Sequence, residues 1–547
     1  MAFSKDALVD SGHMREVHSS PLAHADKAGD KMGRLCHNLS MSTKNYPSVN
    51  KSVDLDASDA YYPMPVLPLL PDIAEMACQC RDAHPDEQIS GATVDVSSAY
   101  QQFAQRPETA KLVATQVKAK CDNARGWKIL IIIYVVGVFG HTRNGNVYCA
   151  PGSAISERHN LHQPILRSLN YIDDGILISP RSGIRLSVAE YKEDIVALFG
   201  TGGVNPMKVK LWESALEAIG WSFDFVSWRV QPKPRGLAKL MMQLFDQIPI
   251  GSTTISDNDL DRVQGLLIWY SSGVPSGKAF IASLFACVRR TKGGLIELSA
   301  AAQRDLMWWR AIAYTAYSHP FVLGADISSV RRQAIPAMFL RTDASTTVGA
   351  GGCLSLSRGG TPMELEGEAV RWTKAELLTF AKLGVSINVL EYLAAVFYVM
   401  LWADVMADSV ILLECDNTAA VSWLMKCRTK GKGANGAADA IARLFTLFLL
   451  RTHIIIKSTH LRGVDNVVAD FNSRDLSLCP QEADEGIVRD LRSRESLVGQ
   501  WSRSCSRREL CRSILYLCVT TPERMHGQSL ADALTALLST RGSTSAK

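Results

Sequence analysis

Two neighbouring carboxylates, Asp173 and Asp174, stand in the apolar context YIDDGILI (171–178). Two like charges about 4 Å apart repel by about 4 kcal/mol at an effective dielectric near 20, so such a pair needs a neutralising partner or open water. A divalent cation is one such partner, because hard cations take carboxylate oxygens. Alone, a double acid is usually a solvated turn. A third acid, Asp95, lies in the strand-like TVDV (93–96). Three carboxylates from two neighbouring strands suit a pair of Mg²⁺ ions roughly 3.5–4 Å apart, an arrangement that carries phosphoryl transfer. Four further acids, Asp343, Glu391, Asp416 and Asp470, fall on four separate elements of the later chain. Singly they read as a turn former, a solvated helix face, a helix cap and a surface charge.

The elements that must position these side chains follow from the hydrophobic pattern. Residues 34–235 alternate short β-type runs with helical stretches, an α+β pattern. TVDV and the run Ile129–Phe139 read as strands, and NYIDDGILI (170–178) reads as two strands around an acidic turn. Residues 236–338 read as a helical layer, with Leu237, Met241 and Leu244 on one face, Leu260, Val263, Leu267 and Tyr270 on another, and Trp308 and Trp309 on a third helix. Residues 339–475 show the order strand–strand–helix–strand–helix–strand–helix, an α/β layer pattern. GAGG (349–352) is expected to be a tight turn, Ile387–Met406 one helix with an apolar stripe beside Glu391, Asn417 or Thr418 the cap of the helix after Asp416, and Asn466 the cap of the last helix. Residues 1–33 read as a loose polar arm, and 476–547 as an Arg/Ser-rich tail whose Arg503, Arg507, Arg508 and Arg512 mark a solvated helix face.

Composition sets limits. The 547 residues carry 59 Lys+Arg against 54 Asp+Glu, a net charge of +5, which permits a polyanionic partner without demanding one. With 47% hydrophobic and 21% charged residues, the chain is neither wholly disordered nor fibrous. The 13 cysteines form no CxxC pair, so reduced thiols are the expectation. No apolar run is long enough to span a bilayer and no leader segment is evident, which points to an intracellular protein without a membrane partner.

Several segments together resemble reverse transcriptases. YIDD (171–174) resembles the family's YxDD signature, and VDVSSAY (94–100) its other metal-binding motif. GRLCHNLSMSTKNYPSVN (33–50) resembles a fingers segment, VNPMKVKL (204–211) the segment after YxDD, and AIGWSFD (218–224) the primer-grip hairpin. The resemblance implies metal ligation by Asp95, Asp173 and Asp174. It implies that Tyr100 lies under the incoming sugar, that Arg34 contacts phosphate or template, and that Lys208 approaches the triphosphate. Asn38 departs from the usual Asp, and 138–152 matches the template-positioning loop at Phe139 and Gly140 alone.

The distal acids sit in segments that resemble ribonuclease H: TDASTTVGAGG (342–352), INVLEYLAAV (387–396), ECDNTAAV (414–421) and HLRGVDNVVADFNSR (460–474). That resemblance implies two Mg²⁺ ions held by Asp343, Glu391, Asp416 and Asp470, with His460 assisting product release or proton transfer. The implied architecture is α+β and α/β multidomain: a right-hand polymerase with fingers and palm over 34–235, a helical thumb and connection over 236–338, and a ribonuclease H-like mixed-sheet domain over 339–475. The implied activity is RNA-directed DNA polymerase with ribonuclease H, Mg²⁺-dependent with Mn²⁺ as a substitute. The implied partners are an RNA template, a DNA primer, an RNA–DNA hybrid and dNTPs, in the cytoplasm or nucleus. DLMWWRA (305–311) and INVLEYLAAV look most like DIRS-type retroelements, with gypsy-type LTR elements next. The alternative is a decayed or domesticated copy that binds nucleic acid without catalysis. The sequence is silent on oligomeric state.

Overall fold

The computed structural model describes residues 1–27, 30–42, 47–54, 66–120, 127–161, 165–287, 294–331, 336–358, 361–426, 436–474, 507–522, 525, 532–535 and 538. The chain divides into two compact units, Met1–Arg229 and Val230–Lys547. No helix among the described residues is long and apolar enough to cross a membrane.

The first unit opens with strand β1 (Ala2–Ser4), helix α1 (Lys5–Asp10) and the hairpin β2 (Leu22–Lys27) and β3 (Asp30–His37). Helix α2 (Leu70–Ala83) leads into β4 (Ile89–Asp95), and then come β5 (Ala114–Lys120), β6 (Trp127–Ile133) and helix α3 (Asn144–Asn160). Strand β7 (Ser168–Tyr171), strand β8 (Asp174–Pro180), helix α4 (Ile184–Phe199) and β9 (Lys210–Trp212) follow, and the hairpin β10 (Ala215–Ala218) with β11 (Trp221–Asp224) comes last. The central sheet has the order β7-β8-β4-β9, all antiparallel. Its strands β4 and β8 are apolar along most of their length because both faces are covered; Ala92, Val94, Ile176, Leu177 and Ile178 are buried. The N-terminal segment is not a loose arm. Strand β1 adds to the edge of β6, and Leu8 buries against Ala114 and Ile131, so backbone pairing orders a stretch whose side chains show no periodicity.

The second unit begins with helix α5 (Pro234–Met241), strand β12 (Thr254–Ser256), helix α6 (Asp257–Tyr270), β13 (Leu295–Glu297) and helix α7 (Ala300–Ser318). Leu237, Leu260, Val263, Leu267, Tyr270 and Trp309 are buried as their spacing predicts. Then come β14 (Met338–Ala344), β15 (Gly349–Arg358), β16 (Thr361–Arg371), helix α8 (Lys374–Leu383), helix α9 (Ile387–Leu401), β17 (Val410–Cys415), helix α10 (Thr418–Lys426), helix α11 (Ala437–Thr452), β18 (Ile455–His460), helix α12 (Val467–Arg474) and helix α13 (Arg507–Thr520). The five-stranded sheet runs β16-β15-β14-β17-β18. Its first three strands are antiparallel, and β14, β17 and β18 are parallel. One hydrophobic core includes residues of the helical layer and of this sheet, from Leu237 to Leu534.

Four expectations are corrected here. GAGG is strand, not turn; the bend lies at 346–348. Gly351 is needed because a Cβ there would fall 2.0 Å from the Ala469 carbonyl oxygen, so its lack of a side chain lets α12 lie against β15. The Ile387–Met406 helix breaks at Trp402, and α9 is buried nearly all round, so Glu391 is in the interior rather than beside a stripe. Asn466 does not cap α12: its Nδ2 donates to the Thr342 carbonyl at 3.0 Å and its Oδ1 has no partner. The tail helix α13 is not solvated. Cys511, Ile514, Leu515 and Cys518 join the core, and Arg507, Arg508 and Arg512 pair with Asp404, Glu368 and Glu376. Arg503, the TKGKGAN stretch (429–435) and the Arg34 side chain lie outside the described residues.

Candidate functional sites

The proximal site is built by strand register. Asp95, the last residue of β4, stands directly opposite Asp174, the first residue of β8. The backbone N–H of Val96 donates to the Asp173 carbonyl at 2.9 Å, which ties the Ile172–Asp173 turn to the same end of the sheet. Ile172 has φ +56°, a left-handed conformation that a β-branched residue rarely adopts. Such strain is held where surrounding structure dictates it, often at a functional turn. Gly175 follows Asp174 because a Cβ there would lie 2.4 Å from the Tyr191 ring.

Asp95 is 5% exposed and would be costly as an isolated anion. Lys208 Nζ lies 2.5 Å from its Oδ1, and Asn205 Nδ2 donates to its Oδ2 at 3.2 Å. The segment after YIDD thus folds back and supplies a cation to the first acid. Tyr100 is reached through a sharp bend at Ser98 (φ +49°) and packs edge-on against Phe139 at 4.9 Å and Tyr148 at 6.1 Å. Burial raises the Tyr100 hydroxyl pKa, and the Asp173 charge raises it further. The Tyr148 side chain is fully buried and its hydroxyl has no partner. Burial, then the Asp173 charge, Tyr191 and the Asp95 charge, hold that hydroxyl strongly protonated. A buried carboxylate that takes a cationic partner, directly opposite Asp174 in the strand register, fits a site for a cation with oxygen ligands.

The distal site gathers elements from both sheet and helices. Asp343 is the penultimate residue of β14 and is 2% exposed, and Ser473 Oγ from α12 donates to its Oδ2. Glu391, on α9, is 4% exposed. Asp416 follows β17 directly, and Asn417 caps α10 by accepting from the Ala419 and Ala420 N–H groups at 3.0 Å each. Potential ligand atoms of Glu391, Cys415 and Asp416 all lie within 4.8 Å of one another, the one such trio among the described residues. Asp470 is half-buried on α12, with Arg474 at 2.6 Å. His460 ends β18, is exposed, and donates from Nε2 to the Asp416 carbonyl at 3.0 Å. A Cβ on Gly463 would sit 3.1 Å from Asp416 Oδ2, so the loop after β18 closes tightly on that acid.

Electrostatics show that the distal carboxyls act on one another. Burial pushes Glu391 up to about 8, with the Asp343 and Asp416 charges adding. Burial pushes Asp343 up to about 6, the Asp416 and Asp470 charges add, and the Ser473 hydroxyl and Arg474 oppose. Burial also raises the Cys415 thiol far above its ordinary value, with Glu391 next. Two buried carboxyls, Glu391 and Asp343, held at such cost beside Asp416 fit a hard divalent cation with oxygen ligands; the Cys415 thiol is the soft exception.

The sequence-predicted acids therefore fall into two groups, Asp95 with Asp173 and Asp174, and Asp343 with Glu391, Asp416 and Asp470. Tyr100 and Lys208 lie in the first and His460 in the second. Sequence reasoning missed Cys415, Ser473, Asn205 and Tyr148. Of these, Cys415 carried a signal in its place directly before Asp416; the others belong to their sites through folding alone.

No protein-family model matches the chain, and no curated protein matches it by sequence. Among solved structures it is similar to a foamy viral protease-reverse transcriptase in complex with double-stranded DNA, at 13% identity and a TM-score of 0.42, over 84% of this chain and 68% of that one. A second foamy viral protease-reverse transcriptase structure with double-stranded DNA matches at 13% identity and a TM-score of 0.40, over 84% of this chain and 82% of that one. A likeness of that degree carries no weight for the chemistry, which rests on the placement of the carboxylates.

Proposed function

We propose that this protein is an RNA-directed DNA polymerase with ribonuclease H activity. It copies retroelement RNA into DNA and removes the RNA of the resulting hybrid. The observation that carries the reading is the pairing of Asp95 with Asp174 across two strands, with Asp173 at the intervening turn. Mg²⁺, two ions per site with Mn²⁺ as a substitute, would be held by Asp95, Asp173 and Asp174 in one site and by Asp343, Glu391, Asp416 and Asp470 in the other, and supplies charge neutralisation and activation of the attacking oxygen.

The chain's own residues divide the remaining work. Tyr100, braced by Phe139 and Tyr148, offers a flat face beside the acids that limits the sugar admitted. Lys208, freed from Asp95 when that carboxylate is otherwise neutralised, is placed to meet triphosphate oxygens. His460 keeps Asp416 oriented through its carbonyl. An RNA template with a DNA primer and dNTPs serves the first site, and the hybrid serves the second. A DIRS-type element is the closest fit in motif, with gypsy-type elements next.

Primer extension on an RNA template tests the first half: dNTP incorporation with Mg²⁺ or Mn²⁺ that Asp173→Asn abolishes is expected. No incorporation, or incorporation indifferent to that change, refutes it. For the second half, hybrid RNA is expected to be cut by the parent and left intact by Asp416→Asn. A second reading, a decayed or domesticated copy that binds nucleic acid without catalysis, is favoured by Asn38 and by the poorly matching 138–152 segment.

A further inference from the structure

Asp470 is the one distal acid carried on the short helix α12. At eight residues, α12 cannot hold itself in place. Its contacts to the rest of the unit therefore decide where Asp470 stands. Three lie on β14 and β15: the close approach at Gly351, Asn472 Nδ2 to the Gly352 carbonyl at 3.3 Å, and Ser473 to Asp343. The fourth is cationic. Arg371 Nη1 donates to the Asn472 carbonyl at 2.5 Å. That carbonyl is among the last four of the helix, which lack partners within it, and a cation there complements the negative helix end. Arg371 is 4% exposed, so water screens the contact little.

Arg371 is in turn held from outside the sheet. It ends β16, an end strand whose outer carbonyls need partners. Arg512 Nη2 of α13 donates to the Arg371 carbonyl at 2.7 Å, and Arg508 Nη2 to the Ala369 carbonyl at 3.0 Å. Arg512 also forks onto buried Glu376, at 2.9 Å and 2.5 Å. Arg508 and Arg512 are four residues apart and share one helix side.

We propose that Arg371 is a positioning residue of the distal site, clamping α12 so that Asp470 and Ser473 face Asp343, and that the C-terminal helix α13 braces this clamp. The role in nuclease action rests on the function proposed above; the clamp itself does not.

The test uses the full chain with Asp173→Asn and Asp174→Asn in every sample, so that bound metal reports the distal site. Amide hydrogen exchange is followed over 467–474 and over β14 and β17, and Mn²⁺ binding is followed by electron paramagnetic resonance. Arg371→Met is expected to speed exchange in 467–474 by about tenfold or more and to weaken Mn²⁺ by about tenfold, with β14 and β17 still protected. Arg371→Lys is expected to recover part of both, and Arg512→Met to reproduce the effect more weakly, which keeps the test alive should Arg371→Met fail to fold. Unchanged exchange and Mn²⁺ binding overturn the clamp, as does a uniform loss of protection throughout the unit. If the parent cuts no hybrid, the nuclease reading falls while exchange at 467–474 still decides the clamp.

Discussion

Glu391 makes the metal-free protein a poor holder of negative charge, and this sets the sign of its pH dependence. Its carboxyl is buried beside Asp343, Cys415 and Asp416, and its pKa rises from an ordinary 4.5 to about 8. A raised folded-state pKa gives stability that is fully present below about 4.5 and is lost as pH climbs through about 8. Each unit in that window is worth about 1.4 kcal/mol, so the loss amounts to roughly 2–4 kcal/mol once mutual coupling is allowed for. Asp343, raised to about 6, adds a smaller loss over the lower part of the window. The perturbation is Glu391→Gln, which keeps the shape and removes the titration. The assay is denaturant unfolding of the second unit between pH 5 and pH 8.5 in EDTA, reported by exchange of the α9 amides. The 12 histidines also titrate in this range, so the informative quantity is the difference between parent and variant. The parent is expected to lose stability with rising pH more steeply than Glu391→Gln, and added Mg²⁺ to restore the parent at pH 8. Equal slopes for the two proteins refute the reasoning.

Other outcomes follow from single contacts. Arg443 pairs with fully buried Asp305 at 2.8 Å, so Arg443→Met strands a buried acid; a loss of about 3–5 kcal/mol in urea unfolding is expected, largely recovered by adding Asp305→Asn. Gly175→Ala forces a Cβ into the Tyr191 ring, and a loss of about 1–3 kcal/mol together with lower primer extension is expected, since Asp174 must shift with its neighbour. Tyr100→Ala opens the space between Phe139 and the acids, and a higher ratio of ribonucleotide to deoxyribonucleotide incorporation is expected in single-nucleotide extension. An unchanged ratio removes Tyr100 from sugar selection.

The strands and helices that carry the acids were legible because apolar periodicity reports burial. TVDV became strand, YIDDGILI became the expected pair of strands around an acidic turn, and Leu260, Val263, Leu267 and Tyr270 all turned inward. Most of what failed lacked a periodic signal; the apolar runs Ile129–Phe139 and Ile387–Met406 kept one but stop short, the strand at Ile133 and the helix at Leu401. Ala2–Ser4 is ordered by backbone pairing with Leu130, Ile131 and Ile132, which any side chain allows. GAGG looked like a turn because glycine favours turns, yet Gly351 is there for helix approach, a long-range fact. The arginines of α13 looked solvated because charge usually is, while Arg512 meets Glu376 more than a hundred positions earlier. Ser473 and Tyr148 entered their sites for the same reason: contacts across long sequence separation leave no local trace.

The two carboxylate groups meet the same physical problem in opposite ways, and this separates them by experiment. At the proximal site Asp95 already has a cation, the Lys208 ammonium, so an incoming divalent ion must displace it. Competition there is between two cations, and lowering the charge at position 208 should tighten metal binding while weakening any triphosphate contact. At the distal site Arg474 is tied to Asp470, and buried Glu391 is neutralised by a proton instead, with Asp343 joining it only as pH falls to about 6. Competition there is between metal and protons, so binding must release protons and weaken steeply as pH falls below about 8. Lys208→Met is therefore expected to raise proximal metal affinity with little effect on the distal site. A drop from pH 8 to pH 6 is expected to lower distal affinity far more than proximal. Measuring Mn²⁺ affinity at both pH values, in chains with one acidic group or the other replaced, decides it: equal pH slopes at the two sites would mean that the protons on Glu391 and Asp343 are not what holds the distal acids together.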